Sequence, residues 1–140
     1  MLCAGPGYLK KHGLSRSVAD LTSHVCIAYS NARDPGLWSD HGPDGHAGTV
    51  RVPVRLASSS GEFNLRAAIA DAGLLLLPSC YAHDALRDNL WVRVLGEYVW
   101  PKLTAYAVYP STRHLSSRVR AFIDSMVERL AAEPGWDRLD

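Results

Sequence analysis

The chain has 140 residues, a length that suits one domain with a core of its own. Its formal net charge is +1, so the composition lacks the basic excess that is typical of nucleic-acid-binding domains. No apolar run approaches the roughly 20 residues of a membrane span, and the first residues do not have the form of a signal peptide. Three widely spaced cysteines argue against a disulfide framework, so we expect a cytoplasmic protein.

The first third of the chain predicts two short helical segments and a buried strand. Pro6 and Gly13 mark the start and end of a short helix, because proline suits the first helical turn and glycine the position after the last. Ser17 is expected to cap a second helical turn. The apolar run 25–29 predicts a strand buried on both faces, and the segment 31–48, rich in Asn, Asp, Pro and Gly, predicts a loop or an irregular hairpin.

The middle of the chain predicts a strand followed by a helix. Apolar and polar side chains alternate over residues 49–57, which predicts one half-buried strand, with Pro53 at an edge or a bulge. Ser59 and Glu62 have the form of a capping box and predict that Ser59 is the N-cap of a helix that Gly73 ends. The side chains expected on the inner side of this helix are Phe63, Leu65, Ala68, Ile69 and Ala72.

The alternation of strands and helices continues beyond this helix. Leu74 to Leu77 predict an apolar strand that Pro78 stops, and Ser79 is expected to cap a helix that ends near Asn89. Residues 91–95 predict the next strand. Strands that alternate with helices indicate an α/β fold, with a sheet that carries helices on its faces.

The last third of the chain predicts one more strand, over residues 104–109, and a long amphipathic helix. Ser116 is the expected N-cap, and the pair at 134–135, Pro-Gly, is expected to stop the helix. Apolar side chains recur along it at three- and four-residue steps: Leu115, Val119, Phe122, Ile123, Met126, Val127 and Leu130. This apolar stripe must be covered by another surface.

The order of these motifs resembles the effector-binding domain of LysR-type bacterial transcriptional regulators. The matching pieces are Gly5–Leu9 with Gly13 (family pattern Ser-Pro-x-Tyr-Leu), Asp20–Ile27, Gly61–Ala72 with Gly73–Pro78, Leu90–Leu95, Tyr106–Pro110, and Leu115–Ser116 with Val119–Asp124. The resemblance covers nearly the whole chain and implies a type II periplasmic-binding-protein-like α/β fold, a mixed sheet with helices on both faces. Asp71 and Asn89 stand where the family has glycine.

The resemblance also implies a division of the chain. Residues 1–103 would form effector-binding subdomain II, residues 104–133 the strand and helix that return to an incomplete subdomain I, and residues 134–140 a C-terminal tail. The family's winged helix-turn-helix and the first part of subdomain I have no counterpart in this sequence. We therefore expect contact with DNA only through an N-terminal domain that this chain lacks.

Two junctions where a strand runs into a helix are the candidate ligand site. Ligands of open α/β sheets bind at the carboxyl ends of strands, often against helix N-termini. The resemblance places both junctions in a cleft that holds a small, often anionic effector. This chain would supply only one wall of that cleft, so we expect it to bind the effector weakly. The candidate ligand-binding residues are Ala57, Ser58, Ser59, Ser60, Gly61, Leu77, Pro78 and Ser79.

Other functions stay open at this point. A metal site could draw on four histidines and a cysteine, although their spacing forms no tight ligand pair: His24, Cys26, His41, His46 and His83. No local signature of a hydrolase nucleophile is present, so we expect no catalytic residue and no cofactor. A stand-alone oligomerisation or interaction module is the main alternative, since the stripe of the last helix could be covered by a second copy, giving a homo-oligomer. No membrane partner is expected.

Overall fold

The computed structural model describes residues 1–102, 104, 106–109 and 116–131, and the chain divides into two compact units, Met1–Lys102 and Leu103–Asp140. The elements of the first unit are β1 (Leu2–Ala4), α1 (Pro6–His12), a 3-10 helix (Val18–Ser23), β2 (Cys26–Tyr29), β3 (Leu37–His41), β4 (Ala47–Arg51), β5 (Val54–Ser58), α2 (Gly61–Ile69), β6 (Leu74–Leu76), α3 (Ser79–Arg87) and β7 (Val92–Val94). The second unit contains α4 (Ser117–Ala131). None of the described helices is long and apolar enough to cross a membrane.

The first unit is built on a mixed five-stranded sheet with the strand order β5-β2-β6-β1-β7. The strand β2 runs parallel to both β5 and β6, whereas β1 is antiparallel to both β6 and β7. A separate hairpin pairs β3 with β4 over five residue pairs. The predicted α/β fold with a mixed sheet is therefore confirmed.

Both faces of this sheet are covered, because neighbouring residues of a strand point to opposite sides. Leu2 and Leu74 belong to a core cluster with side chains of α1, the 3-10 helix and the β3–β4 hairpin. Cys3 and Leu75 belong to a second cluster, formed with side chains of α2 and α3. All four side chains are fully buried, and each buried leucine stabilises the fold by about 1.5–3 kcal/mol.

The structure joins two of the motifs that carry the family resemblance. Tyr8, in α1, places its hydroxyl 3.2 Å from Nδ1 of His24, which ends the 3-10 helix. The backbone N–H of Val25 donates to the same hydroxyl over 2.9 Å. The predicted caps of these helices are also present: Gly13 has a φ of 85° after α1, and the N–H of Ser17 donates to the carboxylate of Asp20 over 2.9 Å.

The prediction of one strand over residues 49–57 is wrong. These residues form β4 and β5, which belong to different sheets. At the break, the N–H of Val52 donates to the carbonyl of Gly36, and the carbonyl of Pro53 accepts from Cys26 of β2. Because Pro53 has no N–H, the chain can leave the hairpin here and join the main sheet without losing a hydrogen bond.

The predicted start of α2 is wrong by one residue. Ser60, not Ser59, is the N-cap, and its hydroxyl accepts from the N–H of Phe63 over 3.2 Å. Three of the five side chains predicted on the inner side of α2 lie there: Ala68 is buried, and Leu65 and Ile69 are partly buried against the core. Phe63 is half-exposed, and Ala72 lies beyond the helix on the surface. Gly61 and Asn64 are further buried positions of α2.

The later elements follow the predictions with two differences. Pro78, not Ser79, is the N-cap of α3. Residues 104 and 106–109 form no strand, and the rest of the predicted 104–109 strand lies outside the described residues. The hydroxyl of Ser116 accepts from Val119 at the start of α4, as expected. Leu115 and the predicted stop at 134–135 lie outside the described residues.

Candidate functional site

Three parallel strands end at one edge of the sheet. β2 lies between β5 and β6 and runs parallel to both, so their carboxyl ends meet at this edge. Ser59, Ser60 and Gly61 follow β5, while Pro78 and Ser79 follow β6. Both predicted junctions therefore lie at the edge where α/β sheets bind their ligands.

The junction after β5 presents free backbone donors beside serine hydroxyls. The hydroxyl oxygen of Ser58 accepts from the N–H of Ser60 over 3.1 Å, and the hydroxyl oxygen of Ser60 accepts from the N–H of Phe63. Both hydroxyls therefore act as acceptors here, and the protons of both stay available for a ligand. Among the described residues, no group accepts from the N–H of Gly61 or of Glu62. Ala57 and Ser59 are exposed, whereas Gly61 is buried.

The junction after β6 is held more firmly by its own chain. The N–H of Leu77 donates to the carbonyl of Met1 over 3.0 Å, and the Leu77 side chain is only 4% exposed in the core. Pro78 is half-buried, and its carbonyl accepts from the N–H of Tyr81. Ser79, also half-buried, begins α3. Leu77 thus supports the junction, while Pro78 and Ser79 form its accessible part.

Two tyrosines that the sequence analysis missed bring the junctions together. Tyr29 ends β2, and its phenol lies beside Tyr81 of α3 at the start of α2. Gly61 lies against both rings, and a Cβ at this position would overlap the Tyr29 hydroxyl. The rule that drew attention to the ends of β5 and β6 also applies to β2, so Tyr29 could have been found from the sequence.

Asn64 fixes the start of α2 against the strand ends. Its side chain is fully buried, and its Nδ2 donates to the carbonyls of Ala28, over 3.3 Å, and Ser58, over 3.1 Å. Those two carbonyls lie on β2 and β5, so one amide ties both strands to the helix. The spacing of Gly61, Asn64 and Ala68 is helical, and a polar residue in that series was the sequence signal for this role.

The electrostatics of this edge favour a neutral phenol and a positive helix end. Burial raises the pKa of Tyr29, and the neighbouring Tyr81 and Cys80 raise it further, so the phenol stays protonated and can donate. The carboxylate of Glu62 is paired with Arg66 over 2.8 Å on the exposed side of α2. The N-terminus of a helix carries partial positive charge, which attracts anions.

Two of the histidines considered as metal ligands have partners elsewhere in the described residues. His46 pairs with Asp44 over 3.1 Å on the surface, and His24 is bonded to Tyr8. Over the described ranges, no three His, Cys, Asp or Glu side chains converge on a point where a metal ion could bind. The residues that the structure brings together at the sheet edge are hydrogen-bond donors, not metal ligands.

Comparison with known proteins identifies the family. Residues 1–131 match the LysR substrate binding domain. The chain belongs to this family. It is 32% identical over 131 residues to the transcriptional regulator PtxR of Pseudomonas aeruginosa and 26% identical over 128 residues to the regulator CrgA of Neisseria meningitidis, covering 94% and 91% of this chain. In both cases the match spans 42% of the relative, so the chain corresponds to less than half of these proteins.

Solved structures of LysR-type regulators share the fold. CrgA of Neisseria meningitidis superposes with a TM-score of 0.72 at 24% identity, over 92% of this chain and 44% of that one. The regulatory domain of AphB from Vibrio vulnificus superposes with a TM-score of 0.69 at 20% identity, over 91% and 64%. This LysR-type chain therefore has the fold of a ligand-binding regulatory domain, as the order of its motifs predicted.

Proposed function

We propose that this chain senses a small anionic effector and that the effector's carboxylate binds at the start of α2. The observation that carries the proposal is the pair of free N–H groups, on Gly61 and Glu62, at the edge shared by three parallel strands. The proposed ligand-binding residues are those predicted from the sequence: Ala57, Ser58, Ser59, Ser60, Gly61, Leu77, Pro78 and Ser79.

The chemistry of the edge suits a carboxylate. Hydrogen bonds from N–H groups to an ionised acceptor are about twice as strong as neutral ones, and the α2 dipole adds to them. The hydroxyls of Ser58 and Ser60 can donate as well, since each uses only its oxygen in the bonds that it now makes. Leu77 contributes by fixing the second junction, and Pro78 and Ser79 border the ligand.

The proposal extends to the division of the chain and to regulation. In this proposal residues 1–103 are effector-binding subdomain II and residues 104–133 return to subdomain I, while the predicted tail, 134–140, lies outside the described residues. Effector binding would shift the population of the regulator's arrangements, which would change how subunits pack. DNA is bound in the cytoplasm through a separate N-terminal domain, as in regulators of the LysR type.

Nuclear magnetic resonance (NMR) titration of the chain with benzoate tests the site, with benzamide as the neutral probe of the same shape. Benzoate should shift the amide signals of Gly61 and Glu62 in a saturable manner, and benzamide should not. Ser58→Ala should weaken binding about tenfold, because a hydrogen bond to a charged group is lost. Ser39→Ala, an exposed serine on β3, is the matched control. Equal shifts by both probes would refute a carboxylate site.

A second function, self-association, is supported by the apolar stripe of α4. Five of its side chains are between 38% and 65% exposed: Val119, Phe122, Met126, Val127 and Leu130. An apolar surface of this kind is typical of an interface, and a second copy of the chain would give the homo-oligomer expected from the sequence. Light scattering after size exclusion should show an oligomer that Phe122→Ser dissociates and Arg118→Ser does not. A monomer at high concentration would argue against it.

A further inference from the structure

A second groove lies away from the strand-end edge. The 3-10 helix and the β3–β4 hairpin border an open groove of about 780 Å³, which includes Tyr98. None of the proposed effector-binding residues lines it. Apolar side chains of Val18 and Ala19 form part of the wall, and the hydroxyls of Thr22 and Thr49 are also present.

One buried carboxylate faces this groove without a partner. Asp40 lies on β3, two residues from the core side chain of Trp38 and therefore on the same face of the hairpin. It is only 5% exposed. No hydrogen bond or ion pair reaches its carboxylate from the part of the chain that the structure describes. The carboxylate oxygens are not among the fully enclosed polar atoms of the described residues, so they keep contact with the water in the groove.

Glycine at the facing position makes room for the carboxylate. Gly48 is paired with Asp40 across the hairpin, and a Cβ on Gly48 would lie 3.0 Å from Oδ2 of Asp40. Asp40 therefore occupies the space that a side chain on the opposite strand would fill. The hairpin holds the charge at the wall of the groove, and nothing in the described residues neutralises it.

Two other groups that line the groove have partners among the described residues. Arg51 pairs with Asp34 over 2.8 Å, and the His46 ring lies 3.1 Å from the exposed carboxylate of Asp44. Asp40 is the buried carboxylate of the groove, and it is left to bind a cation. Since no three potential metal ligands converge in the described residues, a metal ion would lack the ligand set that it requires.

We propose that this groove binds an organic cation, a primary ammonium or guanidinium group on a short aliphatic stem, and that Asp40 is the residue that binds its charge. The stem packs on Val18 and Ala19, and the hydroxyl oxygen of Thr22, which donates to the carbonyl of Ala19, is free to accept from the cation. This site is separate from the proposed effector site in position and in the charge of its ligand, so each of the two proposals can be tested and rejected without the other.

NMR titration of the chain with n-butylammonium tests the inference, with butyrate and n-butanol as probes of the same length and opposite or no charge. We expect saturable shifts of the amide signals of Ala19 and Gly48 with the ammonium alone. Asp40→Asn keeps the shape and removes the charge, so it should weaken binding about tenfold or more. Asp84→Asn makes the same change in net charge on α3 and should leave binding unchanged.

Thermal unfolding separates a binding role from a structural one. If Asp40 is kept for a ligand and does not support the hairpin, Asp40→Asn should not lower the melting temperature of the free protein. A lower melting temperature or an unfolded Asp40→Asn variant would mean that the carboxylate supports the hairpin, and it would overturn the proposal. Equal shifts by butanol or butyrate would also overturn it, since the groove would then bind the stem and not the charge.

Discussion

Two helices of the first unit begin differently, and the difference explains where a ligand can bind. α1 has no capping side chain at Gly5, but the carboxylate of Asp71 accepts from the N–H of Tyr8 over 2.8 Å. At α2, the local cap Ser60 bonds only Phe63, and the N–H groups of Gly61 and Glu62 stay free. One helix end is thus closed by the protein's own carboxylate, and the other is open to a carboxylate from outside.

The closed end of α1 shows two departures from the family pattern that compensate each other. The LysR motif has serine where this chain has Gly5, and glycine where it has Asp71. A Cβ on Gly5 or on Gly7 would overlap the carboxylate of Asp71, so glycine at these positions makes room for it. Asp71 has a φ of 62°, a conformation that aspartate tolerates better than most residues. The cap lost in the sequence motif is therefore supplied from 63 residues away.

The largest effect is expected from Asn64→Ala, which frees the open end of α2 from the strands. The carbonyls of Ala28 and Ser58 would lose the bonds from Nδ2 of Asn64, although the Ser58 carbonyl keeps its bond from the N–H of Ser30, and a small cavity would remain. We expect a loss of about 3 kcal/mol in the free energy of unfolding, measured with urea. Asn31→Ala, an exposed asparagine, is the matched control and should cost little. A loss below about 1 kcal/mol would mean that the Asn64 amide does not hold α2 on the strands.

The closed end of α1 should be broken by Asp71→Ala. This substitution removes the cap on Tyr8 and places alanine in a left-handed conformation, so the free energy of unfolding should fall by about 2 kcal/mol. Asp71→Asn keeps an acceptor and tolerates the same φ, so it isolates the charge and should cost about 0.5 kcal/mol. The compensation idea fails if both variants are as stable as the parent in urea unfolding.

The open end of α2 can be blocked by Gly61→Ala. The added Cβ displaces the Tyr29 hydroxyl, and the overpacking should cost about 1.5 kcal/mol and abolish the benzoate shifts at Glu62. Tyr29→Phe removes the overlapping atom, so the double variant should regain part of the stability lost by Gly61→Ala. Equal stability of the single and double variants would show that the conflict lies elsewhere.

Much of the fold could be predicted because its signals are local. Pro6 and Gly13 fix the limits of α1, and four successive leucines predict β6 through their burial on both faces. The break between β4 and β5 was missed because Val52 continues the apolar alternation, and only its tertiary bond to Gly36 shows that the chain changes sheet. Pro53 was the one local sign of it.

The candidate site was predicted in position but not in composition. The rule on strand ends located Ser58 to Gly61 and Pro78 to Ser79 without any structure. Asn64 was missed because the inner side of α2 was predicted from apolar residues alone, and a buried asparagine does not belong to that pattern. Tyr81 was missed for a different reason, since only the order β5-β2-β6 brings α3 beside Gly61. Caps and strand order are set by tertiary contacts, which the pattern of one sequence does not contain.

The smallest expected effect is the dependence of stability on pH that comes from His24, whose ring contacts the Tyr8 hydroxyl of α1. Burial lowers the pKa of His24, His12 lowers it further, and Asp20 partly opposes them. The folded protein therefore binds the proton less readily than the unfolded chain, whose histidine titrates near 6.5. Stability should be fully present above about pH 6.5 and should fall as the pH drops below that value.

Urea unfolding between about pH 5 and 7.5 measures this dependence, with a variant that isolates His24 from the other titrating groups. His24→Gln should flatten the fall in stability below about pH 6.5, because glutamine does not titrate, although it costs stability at every pH by losing the Tyr8 contact. If the parent and His24→Gln fall in parallel, His24 is not the group that binds the proton, and the closed end of α1 is insensitive to pH.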